Sequence, residues 1–229
     1  MAVCYRSDKV HGYLAGFGFG HGYTRVYHTL FKPLRRAPVA LLEIGLLRPN
    51  TANAGQSRNV ITRAPSLEMW RRYFHAARLH GLDLCAYEGP PIPDCIILQG
   101  DQGSASDLQR VAAASPGGFD IVIDDGSHAS QHQQISFREL FPHVRPGGYY
   151  AIEDLGWQPE QIEDGRFPKT ADMFREYLCT GRLSSPAWSA ELGRDLASQI
   201  ESALFFDSLS RGALDGVDWL LVLRKRQAS

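Results

Sequence analysis

Two apolar runs that each end in a pair of carboxylates, Phe119-Asp-Ile-Val-Ile-Asp-Asp-Gly-Ser-His128 and Gly147-Gly-Tyr-Tyr-Ala-Ile-Glu-Asp-Leu155, constrain the fold of this chain more than any other feature. Each is of strand length and apolar at consecutive positions, the pattern of a strand covered on both faces in a parallel sheet. If the two strands are neighbours, Asp124, Asp125, Glu153 and Asp154 emerge at one edge. Carboxylates crowded in this way repel one another and lose hydration, so a cation, hydrogen-bond donors or a proton must offset the cost. A hard divalent ion such as Mg²⁺ takes oxygen ligands of this kind. His128 follows Asp125 by three residues, which puts an imidazole where it can act as general base on a hydroxyl held at such an ion.

Strand-like and helix-like segments alternate through the middle of the chain, the signature of βαβ units and a doubly wound, mostly parallel α/β sheet. The spacing predicts strands over 39–45, 79–84, 95–98, 119–123 and 149–152. Between them it predicts helices over 66–79, capped by Ser66, over 104–114, capped by Ser104 or Ser106, and over 135–144. Residues 156–185 carry Gly, Pro and mixed charge around a weak helix at 170–178 and read as a lid, while 203–209 and 218–223 read as a closing antiparallel pair. The expected division is an N-terminal arm or flap over 1–37 and one domain over 38–229. The arm repeats His-Gly-Tyr, at His11 and again at His21. A flexible arm and a flap over a cofactor are equally good readings of it.

A length of 229 residues suits one large domain with an appended lid. A formal net charge of -1 gives no reason to expect a nucleic acid or an anionic membrane as partner. The four cysteines are scattered without metal-ligand spacing and read as apolar fillers, with no disulfide framework. Without a leader-like segment or an apolar run of about 20 residues, the expected compartment is the cytoplasm.

In a doubly wound sheet, ligands bind beyond the carboxyl ends of the strands near the point where strand order reverses. Asp83, Asp101, Asp124, Asp125, Glu153 and Asp154 all fall at such ends. Asp83, after the second strand, is placed to grip a ribose diol, and a turn residue is the alternative. Glu43 and Gly45 end the first strand, but no G-x-G-x-x-G or Walker A sequence follows, which weighs against nicotinamide and nucleoside-triphosphate sites. Asp125, Glu153 and Asp154 are candidate metal ligands; helix capping by Asp125 and solvated loop acids are the alternatives.

These residues resemble the metal- and S-adenosylmethionine-dependent O-methyltransferases that modify sugars on antibiotics, the mycinamicin and rhamnosyl O-methyltransferase group. The similar stretches are Asp8-Lys-Val-His-Gly-Tyr13, His21-Gly-Tyr-Thr-Arg-Val-Tyr27, Leu42-Glu-Ile-Gly45, Ser66-Leu-Glu-Met-Trp70, Gly100-Asp-Gln102, Ile123-Asp-Asp-Gly-Ser-His128 and Gly147-Gly-Tyr-Tyr-Ala-Ile-Glu-Asp154. The resemblance implies a class I methyltransferase fold whose last strand is antiparallel. It implies Mg²⁺ on Asp125, Glu153 and Asp154, and His128 as catalytic base. S-adenosylmethionine would be lined by Glu43, Gly45, Asp83, Asp101 and Gln102, with Ser66 and Asp124 counted beside them.

Departures from the pattern are the insertion of Leu14 to Gly20 within the N-terminal motif, and a loop after Gly45 without the expected early glycine. The implied reaction is methyl transfer to a hydroxyl of a glycosylated or polyketide-like small molecule, with self-association allowed for. A catechol-like aromatic diol as acceptor, or a cofactor-binding relative without chemistry, are the alternatives.

Overall fold

In the computed structural model, residues 7, 9, 21–47, 60–206 and 219–227 are described. The strands of the central sheet are β1 (Ala40–Ile44), β3 (Arg78–Asp83), β5 (Cys95–Gln99), β6 (Phe119–Asp124), β7 (Val144–Ile152), β8 (Ile200–Phe206) and β9 (Leu220–Lys225). Their order is β5-β3-β1-β6-β7-β9-β8. β9 runs antiparallel to both of its neighbours and the other pairings are parallel. Chain order reverses between β1 and β6, so the crevice expected to hold ligands opens above that pair. A separate parallel pair, β2 (Val60–Ile61) and β4 (Ala86–Tyr87), lies outside this sheet.

Both faces of the sheet are covered, which is why β1 is buried at every position. Side chains alternate between faces. Leu41, Ile121, Ile123 and Ala151 pack under α1 (Thr24–Phe31) and α2 (Pro65–Tyr73), against Tyr27, Phe31, Trp70 and Phe74. Leu42, Val122, Tyr150 and Ile152 pack against α3 (Ala105–Ala113), α4 (Ser130–Leu140) and α5 (Thr170–Thr180) through Leu108, Val111, Phe137 and Phe174. α6 (Ala190–Ser198) leads into β8. Part of the expected arm therefore belongs to the core, since Tyr23, Tyr27 and Phe31 are fully or almost fully buried. The first His-Gly-Tyr, the 14–20 insertion and most of the loop after Gly45 lie outside the described residues.

Several boundaries differ from the expectation for identifiable reasons. α2 starts one residue before Ser66, with Ala64 at its N-cap, and stops at Tyr73 because Phe74 turns into extended backbone (φ -96, ψ 126). α4 begins at Ser130, five residues before the predicted start, and gives way after Leu140 to a 3₁₀ turn and then to β7. Its first two turns bury Gln131, Gln133 and Gln134 in place of apolar residues, which hides the helical period. Their amides donate to the carbonyls of Ile162 (2.5 Å), Glu153 (3.4 Å) and Pro168 (2.7 Å). α6, capped by Ser189, was not anticipated; Ser104 caps α3 as expected.

Candidate active site

β1, β6 and β7 are neighbours, and each carries an acid at or beside its carboxyl end, Glu43, Asp124 and Glu153. Backbone pairing continues past the strand ends: Asp125 N–H donates to Ile44 O (2.9 Å) and Glu153 N–H donates to Asp124 O (2.9 Å). Glu43, Asp125 and Glu153 are thereby held abreast. Gly45 permits this closeness, because its φ is +80° and a Cβ there would lie 2.0 Å from the Asp125 carbonyl oxygen.

Into this row projects Lys9, buried like Glu43 and Glu153, while Asp125 is partly exposed. Its Nζ bonds Asp125 Oδ2, lies 2.8 Å from Glu153 Oε2 and is 3.4 Å from Glu43 Oε1. Tyr27 donates to the other Glu153 oxygen (2.6 Å). Burial drives Glu43 up to about 7 against the opposing pull of Lys9 and the neighbouring Ser66 hydroxyl. Burial and then repulsion by Asp125 raise Glu153 well above the carboxylate range, with Lys9 and Tyr27 opposing. Tyr27 is itself raised, by burial first and by Glu153 second.

A second, more open group lies outward of that row. Asp125, His128 and Asp154 each offer one ligand atom, and these atoms lie within 4.8 Å of one another. His128 Nε2 stands 3.7 Å from Asp154 Oδ2, and His21 Nδ1 stands 3.3 Å from Asp154 Oδ1. Tyr23 donates to the same Oδ1 (2.5 Å). Trp157 meets the His128 ring edge to face at 5.7 Å. His128 (φ 61) and Asp154 (φ 54) both hold left-handed backbone, a conformation that costs energy in non-glycine residues and gathers at functional sites.

Two carboxylates and an imidazole at this spacing suit a divalent ion with ligands about 2.0–2.6 Å away. Glu153 stands in the inner row, its oxygens on Tyr27 and Lys9.

On the other side of β1, Asp83 spans two loops, accepting from Leu46 N–H (2.8 Å) and Cys85 N–H (2.8 Å). Gln102 donates to Asp124 Oδ1 (2.6 Å) and accepts from Ser127 N–H (2.9 Å), tying the loop after β5 to the loop that carries His128. Asp124 is fully buried, and that burial raises its pKa to about 6. Asp101 is exposed and accepts from Gly103 N–H (2.7 Å). Ser66 is buried in the first turn of α2, beside Glu43.

No protein-family model matches the chain. Over 155 residues it is 43% identical to 8-demethyl-8-(2-methoxy-alpha-L-rhamnosyl)-tetracenomycin-C 3'-O-methyltransferase of Streptomyces olivaceus, a match covering 68% of this chain and 36% of that protein. Over 139 residues it is 41% identical to mycinamicin VI 2''-O-methyltransferase of Micromonospora griseorubida, covering 61% of this chain and 33% of that one. Among solved structures, MycE methyltransferase from the mycinamycin biosynthetic pathway, in complex with Mg and SAH, superposes with a TM-score of 0.71 at 28% identity, covering 99% of this chain and 53% of that chain. The chain is a homologue of the sugar O-methyltransferases of macrolide and tetracenomycin pathways.

This methyltransferase homologue spans about a third of the length of the curated relatives it matches. Its sheet is that of the class I methyltransferases, with the antiparallel strand β9 set between β7 and β8. The structure brings Glu43, Gly45, Asp124, Asp125, His128, Glu153 and Asp154 to one edge and sets Asp83, Asp101 and Gln102 along the same crevice. Lys9, Tyr23 and Tyr27 escaped sequence reasoning. Tyr23 and Tyr27 are four residues apart on one face of α1, a spacing that marks neighbours, but aromatic residues at helical spacing read first as core. Of the two His-Gly-Tyr histidines, His21 lies beside Asp154 and His11 is outside the described residues.

Proposed function

We propose that this chain carries the site of an S-adenosylmethionine-dependent, divalent-metal-assisted O-methyltransferase acting on a sugar hydroxyl of a glycosylated polyketide-like small molecule. The observation that supports this most is the group formed by Asp125, His128 and Asp154 at the carboxyl edge of a class I methyltransferase sheet. Asp125, Glu153 and Asp154 are the carboxylates that would hold Mg²⁺, which would polarise the acceptor oxygen, while S-adenosylmethionine would supply the methyl group.

The remaining steps belong to the protein. His128 accepts the acceptor's proton at its imidazole, held against Asp154 on one side and Trp157 on the other. Asp83 receives the ribose hydroxyls on lone pairs left over from its two backbone partners. Glu43, Gly45 and Ser66 line the floor beneath the cofactor, with Asp101, Gln102 and Asp124 on its far side. Of the expected 156–185 lid, the stretch ahead of α5 begins beside His128 and excludes water, on a domain expected over 38–229 that also takes α1 from the expected 1–37 arm into its core.

Among the described residues no helix is long and apolar enough to cross a membrane. We place the reaction in the cytoplasm, on a small sugar-bearing acceptor and not on nucleic acid, with self-association of the enzyme. The test is incubation of the protein with methyl-labelled S-adenosylmethionine and a rhamnosylated tetracenomycin or mycinamicin VI, with Mg²⁺ or with excess chelator. The expected result is one added methyl mass on the acceptor in the Mg²⁺ sample only. Full turnover in chelator would remove the metal from the mechanism.

A further inference from the structure

His128 stands in the turn between β6 and α4, residues 125–129, with a φ of 61°. That backbone region costs energy in a residue with a Cβ, so it persists only where the surroundings hold it. Residues 125–128 are half-buried and do not pack into the core. The direction of the imidazole therefore depends on whatever grips the turn by hydrogen bonds.

Two side chains do so. Gln102 accepts from Ser127 N–H at 2.9 Å. The other is His132, in the first turn of α4, whose Nδ1 lies 2.8 Å from Ser127 Oγ. The same Oγ accepts from Ala129 N–H at 3.4 Å. With a lone pair so used, the hydroxyl hydrogen is free to point at Nδ1, and this pattern assigns His132 the neutral tautomer with its proton on Nε2. Ser127 and Ala129 flank His128, so one hydroxyl ties both of its neighbours to α4.

The opposite edge of the His132 ring lies on Gly103, in the loop between β5 and α3. A Cβ at Gly103 would lie 2.8 Å from His132 Nε2 and 2.9 Å from Cδ2. Both are closer than carbon atoms tolerate, so a side chain there has to push the ring away from Ser127. Asp101 and Gln102, expected along the cofactor, belong to the same loop. The ring is thus wedged between that loop and the turn that carries His128.

Resting on the reading of His128 as proton acceptor, we propose that His132 is a positioning residue. Through Ser127 it fixes the turn that carries His128, and through Gly103 it sets that turn against the loop expected to line S-adenosylmethionine. It acts on the reaction only by way of His128.

The experiment measures turnover of mycinamicin VI with Mg²⁺ in a set of variants. His132→Ala should lower kcat by about 10–100-fold, the effect of displacing a reacting group by about 1 Å, with acceptor KM within about threefold of wild type. Ser127→Ala removes the same hydrogen bond from its other end and should lose as much, and the double variant should lose about as much as either single one. His132→Asn sets an amide where Nδ1 stood and should return kcat to within about fivefold of wild type. In a His128→Ala background, His132→Ala should cost less than about twofold. Near-normal kcat in Ser127→Ala, or the full His132→Ala loss recurring without His128, would overturn the proposal. Gly103→Ala should cost about tenfold in wild type and less than about threefold beside His132→Asn, whose shorter side chain leaves room for the methyl; equal losses would break the link to the cofactor-side loop.

Nuclear magnetic resonance of protein labelled at its histidine rings supplies a readout that needs no turnover. The His128 signal, identified by its loss in His128→Ala, should shift or broaden in His132→Ala and in Ser127→Ala without cofactor, metal or acceptor. It should keep its wild-type position in His132→Asn. An unmoved His128 signal in the alanine variants overturns the positioning role even where turnover falls, and Ser127→Ala carries the test alone if His132→Ala does not fold. If wild type methylates no acceptor, the reaction reading fails, and the His128 signal still decides whether His132 holds the turn.

Discussion

Replacing Glu43 with Gln should change how stability depends on pH, in a direction and by an amount that the geometry fixes. Glu43 lies at the end of β1 with no exposed side-chain surface, and burial moves its carboxyl from 4.5 to about 7 despite Lys9. At 1.36 kcal/mol per pH unit, that displacement is worth about 3 kcal/mol between the two extremes of pH. The sign follows from proton counting. From pH 4.5 to about 7 the folded carboxyl keeps a proton that the unfolded chain has released, so wild-type stability is greatest below this window and is lost as pH rises through it.

Glutamine mimics the protonated form and has no proton to lose. Glu43→Gln should therefore match wild type near pH 5 and exceed it near pH 8.5 by about 2–3 kcal/mol, a rise in melting temperature of about 5–10 °C for a chain this size. Asp124, raised to about 6 by burial, adds a slope of the same sign, but both proteins share it. Paired melts across that range provide the assay. Parallel profiles, or a variant that is the less stable protein at high pH, would refute the burial of an ionisable Glu43.

Other expectations follow from the same site. His128→Ala should reduce turnover by about 10²–10⁴-fold while cofactor affinity, read by calorimetry, changes little; near-normal turnover would reassign the proton to a carboxylate. Asp83→Ala strips acceptors from the Leu46 and Cys85 N–H groups, at about 1–3 kcal/mol for each buried donor left unpaired. It should weaken S-adenosylmethionine and lower the melting temperature together, and unchanged affinity in a titration would take Asp83 out of the site. Gly45→Ala puts a methyl 2.0 Å from the Asp125 carbonyl at a φ of +80°. A loss of about 4 kcal/mol or more in denaturant unfolding is expected, and a silent substitution would mean that β1 and β6 separate easily at this edge.

The sheet was legible because its strands are apolar on both faces and end in acids, a pattern local enough to read one segment at a time. The acids of β1, β6 and β7 were legible for the same reason, although their grouping depended on strand order. What stayed hidden was polar burial. Gln131, Gln133 and Gln134 break the apolar period of α4 because their amides serve distant carbonyls, and no local pattern announces such partners. Lys9 was hidden likewise, since a lysine in an N-terminal segment reads as solvated until three acids from three strands are seen around it. His128 and Asp154 were found by spacing, but their left-handed backbone was not, because Asp and His adopt it more often than most residues yet still only in a small minority of cases.

The bond from Lys9 to Glu153 joins residues 144 positions apart, and that to Asp125 spans 116. During synthesis the lysine is made first and its partners long afterwards, so the charge at the heart of the site waits until β6 and β7 have been made and have paired. Contacts of such high sequence separation are slow to form. The segment that carries Lys9 thus closes this edge through contacts of high contact order, to residues made more than a hundred positions later.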